Sequence, residues 1–408
     1  MAIGSAGDLF PMLKIALALR TRGHRISFLA PEQHRPYVEQ AGLAFHGVAV
    51  DEAVLDDPRL WHARHGFGVV WRATRGVAAA LLPFVEALPV SEPCVLLVHP
   101  LALAEADLCR AARPDIRIAA AFLAPSNLPT VYDPLVMGPL TVPRWVPRAA
   151  RRWLWRQLGQ RLLDPVVLPG LNRARRLRGM PPLRNALGYL FQVADLSLAL
   201  FPAWFGATQP DWPQPLLHAE FPLYDPDPAA PFSAELVAFL AAGEAPVVVT
   251  PGTGNRQAAA VFRAALEALV QQGRRAIFLT PFASQLPADL PASVLWQPYV
   301  PLRKLLPHCA AAIHHGGIGT TAELLRAGLP QIVIPFAHDQ FDNGARVSAL
   351  GVGAVLPASR LSTARLQHLL ERVLSSRSSG VHARAIAHRF ELQADLDSVC
   401  TALTRLPL

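Results

Sequence analysis

Short apolar runs alternate with helix-like stretches along the first third of the chain. Residues 25–31, 94–100 and 116–125 are apolar and end at proline, as expected of buried strands. Residues 12–24 and 101–114, each directly before a strand, place apolar side chains at helical spacing. Because buried strands that alternate with helices form parallel sheets covered on both faces, this pattern predicts a doubly wound α/β domain.

The alternation is interrupted once, by a proline-rich tract at residues 220–232 that has no periodicity and is typical of a linker. After the tract, strands and helices alternate again. We therefore predict an N-terminal domain, a linker, a C-terminal domain and a terminal helix, at residues 1–220, 221–232, 233–387 and 388–408. The simplest α/β architecture is two Rossmann-like domains that face each other across a cleft.

Composition agrees with a folded chain, since 52% of the residues are apolar and 17% are charged. The net charge of +8 suits an anionic partner, but nearly all of the positive charge is arginine and it predicts no nucleic-acid site by itself. Four scattered cysteines argue against a disulfide framework or a thiolate zinc site and fit a reducing cytosol. Without an evident signal peptide or membrane span, we expect a cytoplasmic protein.

The densest group of small and hydrogen-bonding residues is AIHHGGIGTTAELLRAGLPQIVIPFAHDQFDN, at residues 312–343. It begins as a strand, passes through a glycine turn and enters a helix, so backbone N–H groups and a positive helix end converge beyond the strand. Such a turn binds phosphate, although it can also be an ordinary tight βα connection. Further on, Glu323, Asp339 and Gln340 are placed where they could bind the hydroxyls of a ribose or a sugar.

These residues resemble a known family. The pattern H-x-G-x-G-T-T-x-E, followed by D-Q-x-x-N, is similar to the donor-binding signature of GT-B nucleotide-sugar glycosyltransferases, the UDP-glycosyltransferase family. The segment YVPLRKLLP at residues 299–307 resembles the base-binding segment of that family. The resemblance implies roles in donor binding for the following residues: diphosphate contacts from Thr253, His315, Gly317, Gly319 and Thr320; ribose from Glu323; sugar from Asp339 and Gln340; base from Tyr299 and Val300.

The loop GSAGDLFP near the N-terminus resembles the first-domain glycine loop of the same family, which faces the acceptor. Asp8 falls on the catalytic position, where a carboxylate can take the proton of an acceptor hydroxyl as its oxygen attacks the anomeric carbon. Configuration would invert. Asp8 can also serve as a helix-capping residue, and the two roles are compatible. The resemblance implies that backbone amides and His315 stabilise the leaving group, so we assign no metal and no cofactor, and give the Asp225-Asp227 and Asp395-Asp397 pairs no metal role.

Several segments, among them DDPRLW and FGVVW, resemble more closely the bacterial rhamnosyltransferase of rhamnolipid synthesis. This implies a lipophilic hydroxylated acceptor, such as a hydroxy fatty acid derivative. It suggests Ser5, Phe67, Trp71 and Trp204 as acceptor residues, whereas the aromatic side chains alone favour a core role. The arginine- and tryptophan-rich residues 143–163 either lie on an anionic membrane surface, at the inner membrane, or form a solvated basic face.

The sequence therefore predicts an inverting glycosyltransferase that moves glucose or rhamnose from UDP or dTDP to a lipophilic acceptor. Glu323 favours a ribonucleotide such as UDP-glucose, and the closer resemblance favours dTDP-rhamnose. Two alternatives are a sugar-nucleotide epimerase of the same fold and a non-catalytic partner of another glycosyltransferase. The first strand, at Met1 to Ile3, is shorter than a typical strand, so we expect the natural start to lie upstream. The terminal helix is expected to return to the first domain, as this fold generally has it.

Overall fold

The structure is a computed structural model that describes residues 1–62, 65–89, 93–138, 140–391 and 396–406. Two compact units are present, and each consists of separate pieces of the chain. Unit 1 comprises Met1–Val54, His62–Tyr224 and Ala394–Leu408. Unit 2 comprises Leu55–Trp61 and Asp225–Gln393. No sequence pattern predicted that residues 55–61 would belong with the C-terminal half.

The strands of unit 1 are β1 (Ser27–Pro31), β2 (Ala44–Val48), β3 (Val95–Val98), β4 (Arg117–Phe122), β5 (Leu135–Met137), β6 (Leu140–Val142), β7 (Leu196–Ala199) and β8 (Leu216–His218). Its first helices are α1 (Ala6–Thr21), α2 (Arg35–Gln40), α3 (Gly66–Ala79), α4 (Leu81–Glu86), α5 (Leu103–Ala112), α6 (Arg148–Leu158), α7 (Asp164–Arg176) and α8 (Ala186–Leu190). Within the described residues, β3, β4, β7 and β8 form one parallel sheet in the order β3-β4-β7-β8. Strands β1 and β2 form a parallel pair, and β5 and β6 form an antiparallel pair.

Residues 1–3, the start of unit 1, do not form a regular strand. The N–H of Ala2 donates to the carbonyl oxygen of Leu29 at 3.2 Å, and the amino group of Met1 donates to that of Leu97 at 2.7 Å. The predicted first strand is therefore reduced to two backbone bonds, one toward β1 and one toward β3. The chain then turns directly into α1.

The strands of unit 2 are β9 (Val247–Thr250), β10 (Ala276–Leu279), β11 (Val294–Gln297), β12 (Ala311–His314), β13 (Gln331–Val333) and β14 (Gly353–Val355). Its helices are α9 (Ala234–Ala241), α10 (Ala259–Gln271), α11 (Leu302–Leu305), α12 (Ile318–Arg326), α13 (Gln340–Ala349), α14 (Thr363–Ser375) and α15 (Arg377–Glu391). In the described part of the unit these strands form one parallel sheet in the order β11-β10-β9-β12-β13-β14. Counted from the first strand of the unit, this is 3-2-1-4-5-6, the Rossmann order.

Both faces of the unit 2 sheet are covered, which explains why its strands are continuously apolar. Val247 and Val249 on β9 pack with Phe262 of α10 and Leu370 of α14. Val248, which points the other way, packs in a second cluster with Leu305 and Leu324. Since strand side chains alternate between faces, an apolar run buries residues on both sides of a parallel sheet. The sheet positions the ends of β9 and β12 side by side.

The last described helix, α16 (Asp397–Thr404), belongs to unit 1. There the guanidinium of Arg22 donates to Thr401 Oγ1 at 3.3 Å and forms an ion pair with Asp397, and His24 bonds Thr404 Oγ1 at 2.9 Å. Asp395 of the second Asp-x-Asp pair lies outside the described residues. In the described part of the chain, every helix falls short of the length and hydrophobicity that a membrane span requires.

Candidate functional site

The candidate donor site begins where two neighbouring strands of unit 2 end. Strands β9 and β12 are paired in parallel with His314 opposite Thr250, so the loops that follow them emerge at the same sheet edge. The order of the strands reverses between these two, which makes this the switch point of the sheet. Open α/β sheets bind ligands in the crevice outside such a point. Thr253 and His315, predicted from separate motifs, lie on these two loops.

The turn after β12 has a backbone that requires glycine. Gly316 has φ of +91°, and a Cβ there would lie 2.6 Å from Val333 Cγ1 and 2.9 Å from the carbonyl oxygen of Gln340. Helix α12 follows with Gly317 as its N-cap residue, and no side chain caps it. The first N–H groups of a helix have no partner within the helix and carry its positive end. The turn therefore offers backbone donors to an anion.

His315 lies against the glycine of the other loop. Its ring is so close to Gly252 that a Cβ on that residue would lie 2.7 Å from His315 Cε1. Burial lowers the pKa of His315 to about 4, so the imidazole is neutral at pH 7 and keeps one N–H. Its Nδ1 is buried and has no hydrogen-bond partner among the described residues. A ligand oxygen that met this ring would satisfy a buried polar group.

His314 supports the turn instead of facing a ligand. Its Nδ1 accepts from the N–H of Gly316 at 3.2 Å, so its Nε2 carries the proton and donates to Gln331 Oε1 at 3.1 Å. Both side chains are buried, and burial lowers the pKa of His314 to about 3.

Glu323 on α12 is bound to a neighbour that the sequence analysis missed. Arg326 donates from Nε and Nη2 to Glu323 Oε2 at 2.9 and 2.6 Å, an i,i+3 pair on the same helix face. Burial raises the pKa of Glu323, and Arg326 opposes that shift. The spacing of the pair is visible in the sequence and could have predicted the ion pair. Glu323 presents one carboxylate oxygen beyond these two bonds.

The predicted sugar loop follows β13 and includes residues 336–340. Its own polar side chains hold it in place. Gln340 is buried, and its Oε1 accepts from the N–H groups of Phe336 at 2.8 Å and Ala337 at 3.1 Å. A sugar hydroxyl would therefore have to meet the amide nitrogen of Gln340. Asp339 Oδ2 accepts from Asn343 Nδ2 at 2.8 Å. These bonds shape the loop before any ligand arrives.

Asn343 connects this loop to the glycine turn. The same Nδ2 that bonds Asp339 also donates to the carbonyl oxygen of Gly316 at 2.9 Å, and the side chain is fully buried. The sequence pattern D-Q-x-x-N contains Asn343, but sequence reasoning assigned it no role. Its position four residues after Asp339, the spacing of neighbours on one face of a helix, was the available signal.

The loop after β9 carries an exposed Thr253 and is held by hydrogen bonds at Asn255. Asn255 Oδ1 accepts from the N–H of Gln257 at 2.8 Å, and Gln285 Nε2 donates to the carbonyl oxygen of Asn255 at 2.8 Å. Buried polar atoms without a partner among the described residues gather around the two loops: His315 Nδ1, Asn255 Nδ2, Thr321 Oγ1 and Asn343 Oδ1. Buried polar groups usually have hydrogen-bond partners, so a group of buried unsatisfied atoms indicates a place where a polar ligand binds.

The remaining donor residues differ in exposure. Tyr299 follows β11 and is 48% exposed. Val300 is buried in the core of unit 2, which leaves only its backbone for a base edge. Thr320 is half-buried on the first turn of α12, and its neighbour Thr321 is fully buried. Gly319 lies between Gly317 and Thr320 in that first turn.

In unit 1, Asp8 lies in the first turn of α1. Ser5 is the N-cap residue, its Oγ accepts from the N–H of Gly7 at 3.3 Å, and Asp8 Oδ2 accepts from the N–H of Ser5 at 2.8 Å. This is a capping box in which Asp8 takes the usual Glu position. A Cβ at Gly4 would lie 2.0 Å from Asp8 Oδ2, so glycine is required beside it.

Two histidines that sequence reasoning passed over flank Asp8. His99 follows β3, its Nδ1 accepts from the N–H of Leu101 at 3.2 Å, and its Nε2 lies 3.7 Å from Asp8 Oδ1. His34 bonds the carbonyl oxygen of Gly4 at 2.8 Å. Burial lowers the pKa of both histidines. A histidine at the end of an apolar strand, as in CVLLVHP, was the signal for His99.

The structure corrects part of the acceptor prediction. Trp71 is 5% exposed and packs in a hydrophobic cluster with Val167 and Leu171, while the guanidinium of Arg75 lies 3.5 Å above its ring. Phe67 stacks on Trp71 at a centroid distance of 6.0 Å and is partly buried against the same cluster. Trp71 is therefore a core residue, and Phe67 packs against that core, as expected of aromatic side chains at helical spacing on α3.

Trp204 and Ser5 stand apart from that cluster. Trp204 is half-buried and contacts the rings of Phe205 and Phe221 at centroid distances of 6.1 Å each. The hydroxyl of Ser5 already caps α1, so an acceptor would have to share it. No group of three or more His, Cys, Asp or Glu side chains suited to a metal occurs among the described residues.

Two family models match the chain. Residues 1–84 match the Glycosyltransferase family 28 N-terminal domain, and residues 274–396 match the C-terminal domain of Erythromycin biosynthesis protein CIII-like proteins. The chain is 32% identical to Glycosyltransferase GtfC of Amycolatopsis orientalis over 86% of this chain and 84% of that protein. It is 29% identical to O-mycaminosyltylonolide 6-deoxyallosyltransferase of Streptomyces fradiae over 99% of this chain and 96% of that protein.

Solved structures agree on the fold. The glycosyltransferase VinC in complex with dTDP superimposes with a TM-score of 0.66 at 20% identity, covering 98% of this chain and 96% of that one. At this identity the similarity concerns the fold alone. The sheet order of unit 2 and the position of its glycine turn are consistent with that fold.

Proposed function

This chain belongs to the GT-B glycosyltransferases, and from that premise we propose that it moves a 6-deoxyhexose, such as rhamnose, from dTDP to a hydroxyl of a lipophilic small molecule. It is an inverting transferase. The observation that carries the proposal is the group of unsatisfied polar atoms at the switch point of the unit 2 sheet, around His315. A nucleoside diphosphate supplies the oxygens that such a group requires.

We propose that the diphosphate binds the turn after β12. The N–H groups at the start of α12, the neutral His315 and the hydroxyls of Thr253 and Thr320 would donate to its oxygens. Donors fixed in this way stabilise the charge that grows on the leaving diphosphate, and they need no reorganisation during the reaction. With these donors, stabilisation of the leaving diphosphate requires no metal ion.

The choice of dTDP is supported by the similar proteins, whereas Glu323, as an acceptor for paired ribose hydroxyls, favours a ribonucleotide. Arg326 occupies Glu323 Oε2 with two bonds, and Oε1 lies outside these bonds. VinC, which is similar in fold, was crystallised with dTDP, and the Streptomyces fradiae relative is named for a deoxysugar. UDP-glucose remains the alternative donor.

We propose Asp8 as the catalytic base. Its Oδ2 is held by the capping box, and its Oδ1 takes the proton of the acceptor hydroxyl while that oxygen bonds to the anomeric carbon. The bond from that carbon to the diphosphate oxygen breaks, and the electron pair leaves with the nucleoside diphosphate. His99, which is neutral at pH 7 because burial lowers its pKa, carries its proton on Nε2 and faces Oδ1.

The acceptor is proposed to be a hydroxy fatty acid derivative, on the basis of the segments that resemble the rhamnolipid rhamnosyltransferase. Of the aromatic residues suggested for its site, Trp204 stays a candidate because it is partly accessible. The deciding experiment supplies dTDP-rhamnose and UDP-glucose with 3-hydroxyacyl acceptors and measures glycoside by mass spectrometry. Glycoside formation from dTDP-rhamnose supports the proposal. Conversion of donor without acceptor would favour the epimerase, and no conversion would favour a non-catalytic partner.

We also propose that the protein works in the cytoplasm at the inner membrane surface, through residues 143–163. Trp145 is 82% exposed and Trp153 is 50% exposed, while Trp155 turns inward and donates to the carbonyl oxygen of Thr130 at 2.9 Å. The exposed arginines of this segment are Arg144, Arg148, Arg152, Arg156 and Arg161. Exposed tryptophan among arginine is the composition of a surface that binds anionic lipid.

Vesicle sedimentation tests this contact. Vesicles that contain phosphatidylglycerol should bind the wild type, and vesicles of phosphatidylcholine alone should not. Replacing Trp145 and Trp153 by serine should reduce binding. Equal recovery in the supernatant with both vesicles would identify the segment as a solvated basic face.

A further inference from the structure

A short piece of the N-terminal half of the chain is part of unit 2. Residues 55–61 belong to that unit, although the chain before and after them belongs to unit 1. They include the end of one 3₁₀ turn, Glu52–Asp56, and all of another, Pro58–Trp61. We call residues 56–61 the strap. It contains the motif DDPRLW, to which the proposed function assigns no role.

The strap bonds two loops of unit 2, the loop that follows β9 and the predicted sugar loop that follows β13. Asp56 Oδ2 lies 2.8 Å from Nη1 of Arg256, three residues after Thr253 in the loop that follows β9. His338 Nε2 donates to the carbonyl oxygen of Leu60 at 3.0 Å, directly before Asp339 in the sugar loop. The backbone of His338 has φ of +56°, uncommon for a residue other than glycine. One segment therefore fixes the two loops that carry the proposed phosphate and sugar contacts.

Trp61, at the end of the strap, lies against the sugar loop. Its ring is 6.0 Å from that of Phe336 and 5.8 Å from that of His338, measured between centroids. Its indole Nε1 is buried and has no hydrogen-bond partner among the described residues. A buried N–H without an acceptor is unfavourable, so an oxygen brought by a ligand would be favoured there.

We infer that the strap is part of the donor site and that the Trp61 N–H donates to an oxygen of the transferred sugar. The inference depends on the proposed function, because it assumes that unit 2 binds a nucleotide sugar. The sugar is the expected partner since Phe336 and His338 directly precede Asp339 and Gln340, whereas the diphosphate turn is on another loop. Trp61 would then help to select the sugar that the donor carries.

The test replaces Trp61 by phenylalanine, which keeps an aromatic ring and removes the N–H. Affinities of wild type and variant are measured by calorimetry for dTDP-rhamnose and for dTDP. We expect dTDP-rhamnose to bind about 10-fold more weakly to Trp61→Phe, the usual effect of one lost hydrogen bond, and dTDP to bind within about twofold of wild type. Trp296→Phe is the matched control, because the Trp296 N–H already donates to the carbonyl oxygen of Thr280 at 2.9 Å. It should leave both affinities unchanged.

Asp56→Asn provides a second variant if Trp61→Phe does not fold. It weakens the ion pair with Arg256, so dTDP and dTDP-rhamnose should both bind more weakly. Unchanged affinities in both variants would overturn the inference and leave the proposed function standing. An equal loss of dTDP and dTDP-rhamnose in Trp61→Phe would also overturn it, because the N–H would then act on the diphosphate. Failure of the wild type to bind any nucleotide sugar would overturn both.

Discussion

Unit 2 and the part of unit 1 that is predicted to bind the acceptor differ in how much of their structure the sequence predicted. In unit 2 the glycine turn, His315, Glu323 and the sugar loop gather at one sheet edge, as their motifs indicate. In unit 1 Asp8 lies in a capping box at the start of α1, but Trp71 belongs to the core and Phe67 packs against it. Diphosphate binding needs particular backbone shapes, which leave glycine and capping patterns in a sequence. An apolar acceptor needs only apolar side chains, and these look like core.

The largest effect is expected at Asp8. Asp8→Asn keeps the size of the side chain but removes the base, so kcat should fall by about a thousandfold, within the range that general bases contribute. Affinity for dTDP-rhamnose should stay close to wild type, because the donor site is built from unit 2. Steady-state kinetics and calorimetry measure the two quantities. Asp115→Asn, at an ion pair of a partly exposed carboxylate with the buried Arg113, is the control. If Asp8→Asn reacted with the wild-type kcat, Asp8 would not be the catalytic base.

Trp71 and Trp204 distinguish a core residue from an acceptor residue. Trp71→Ala should lower the free energy of unfolding by about 3–5 kcal/mol, because it leaves a cavity in a packed cluster. Trp204→Ala should cost less stability and raise the KM for the acceptor. Denaturant unfolding and kinetics give both values. If Trp71→Ala were stable and impaired only in acceptor KM, the core assignment would be wrong.

Gly316 tests the backbone requirement of the donor turn. Gly316→Ala places a Cβ at φ of +91° and in contact with Val333 and Gln340, so we expect a loss of about 2 kcal/mol or more. Gly319→Ala is the matched control for stability, since it lies in α12 and a Cβ there meets no atom within 4 Å. That change should be neutral or stabilising, because alanine favours helix. Equal melting temperatures for the two variants would contradict the strained turn.

The smallest effect concerns pH. Burial lowers the pKa of His315 to about 4 and that of His314 to about 3. The unfolded chain therefore takes up protons below about pH 6.5 that the folded chain refuses, so stability should fall as the pH drops from about 6.5 toward 4. His315→Gln should reduce this slope, as measured by melting temperature at several pH values. A slope unchanged in the variant would mean that His315 is not buried in the neutral form.

The sequence predicted geometry that depends on local pattern. His315, Gly316 and the start of α12 follow one another in the chain, so their geometry could be predicted. Prediction failed where a role depends on contacts between distant residues. Gln285 bonds Asn255 across 30 positions, and Leu60 receives a bond from His338 across 278. Periodicity carries no information about such pairs, and the strap therefore appeared only in the structure.

Above all, we propose that unit 2 binds a deoxynucleotide sugar at the turn after β12. Thermal unfolding of the full chain with a panel of dTDP, UDP and GDP sugars tests this binding, because a ligand that binds only the folded state raises the melting temperature. We predict the largest rise with dTDP-rhamnose, a smaller one with UDP-glucose and none with GDP sugars. No rise with any member of the panel would contradict the donor site.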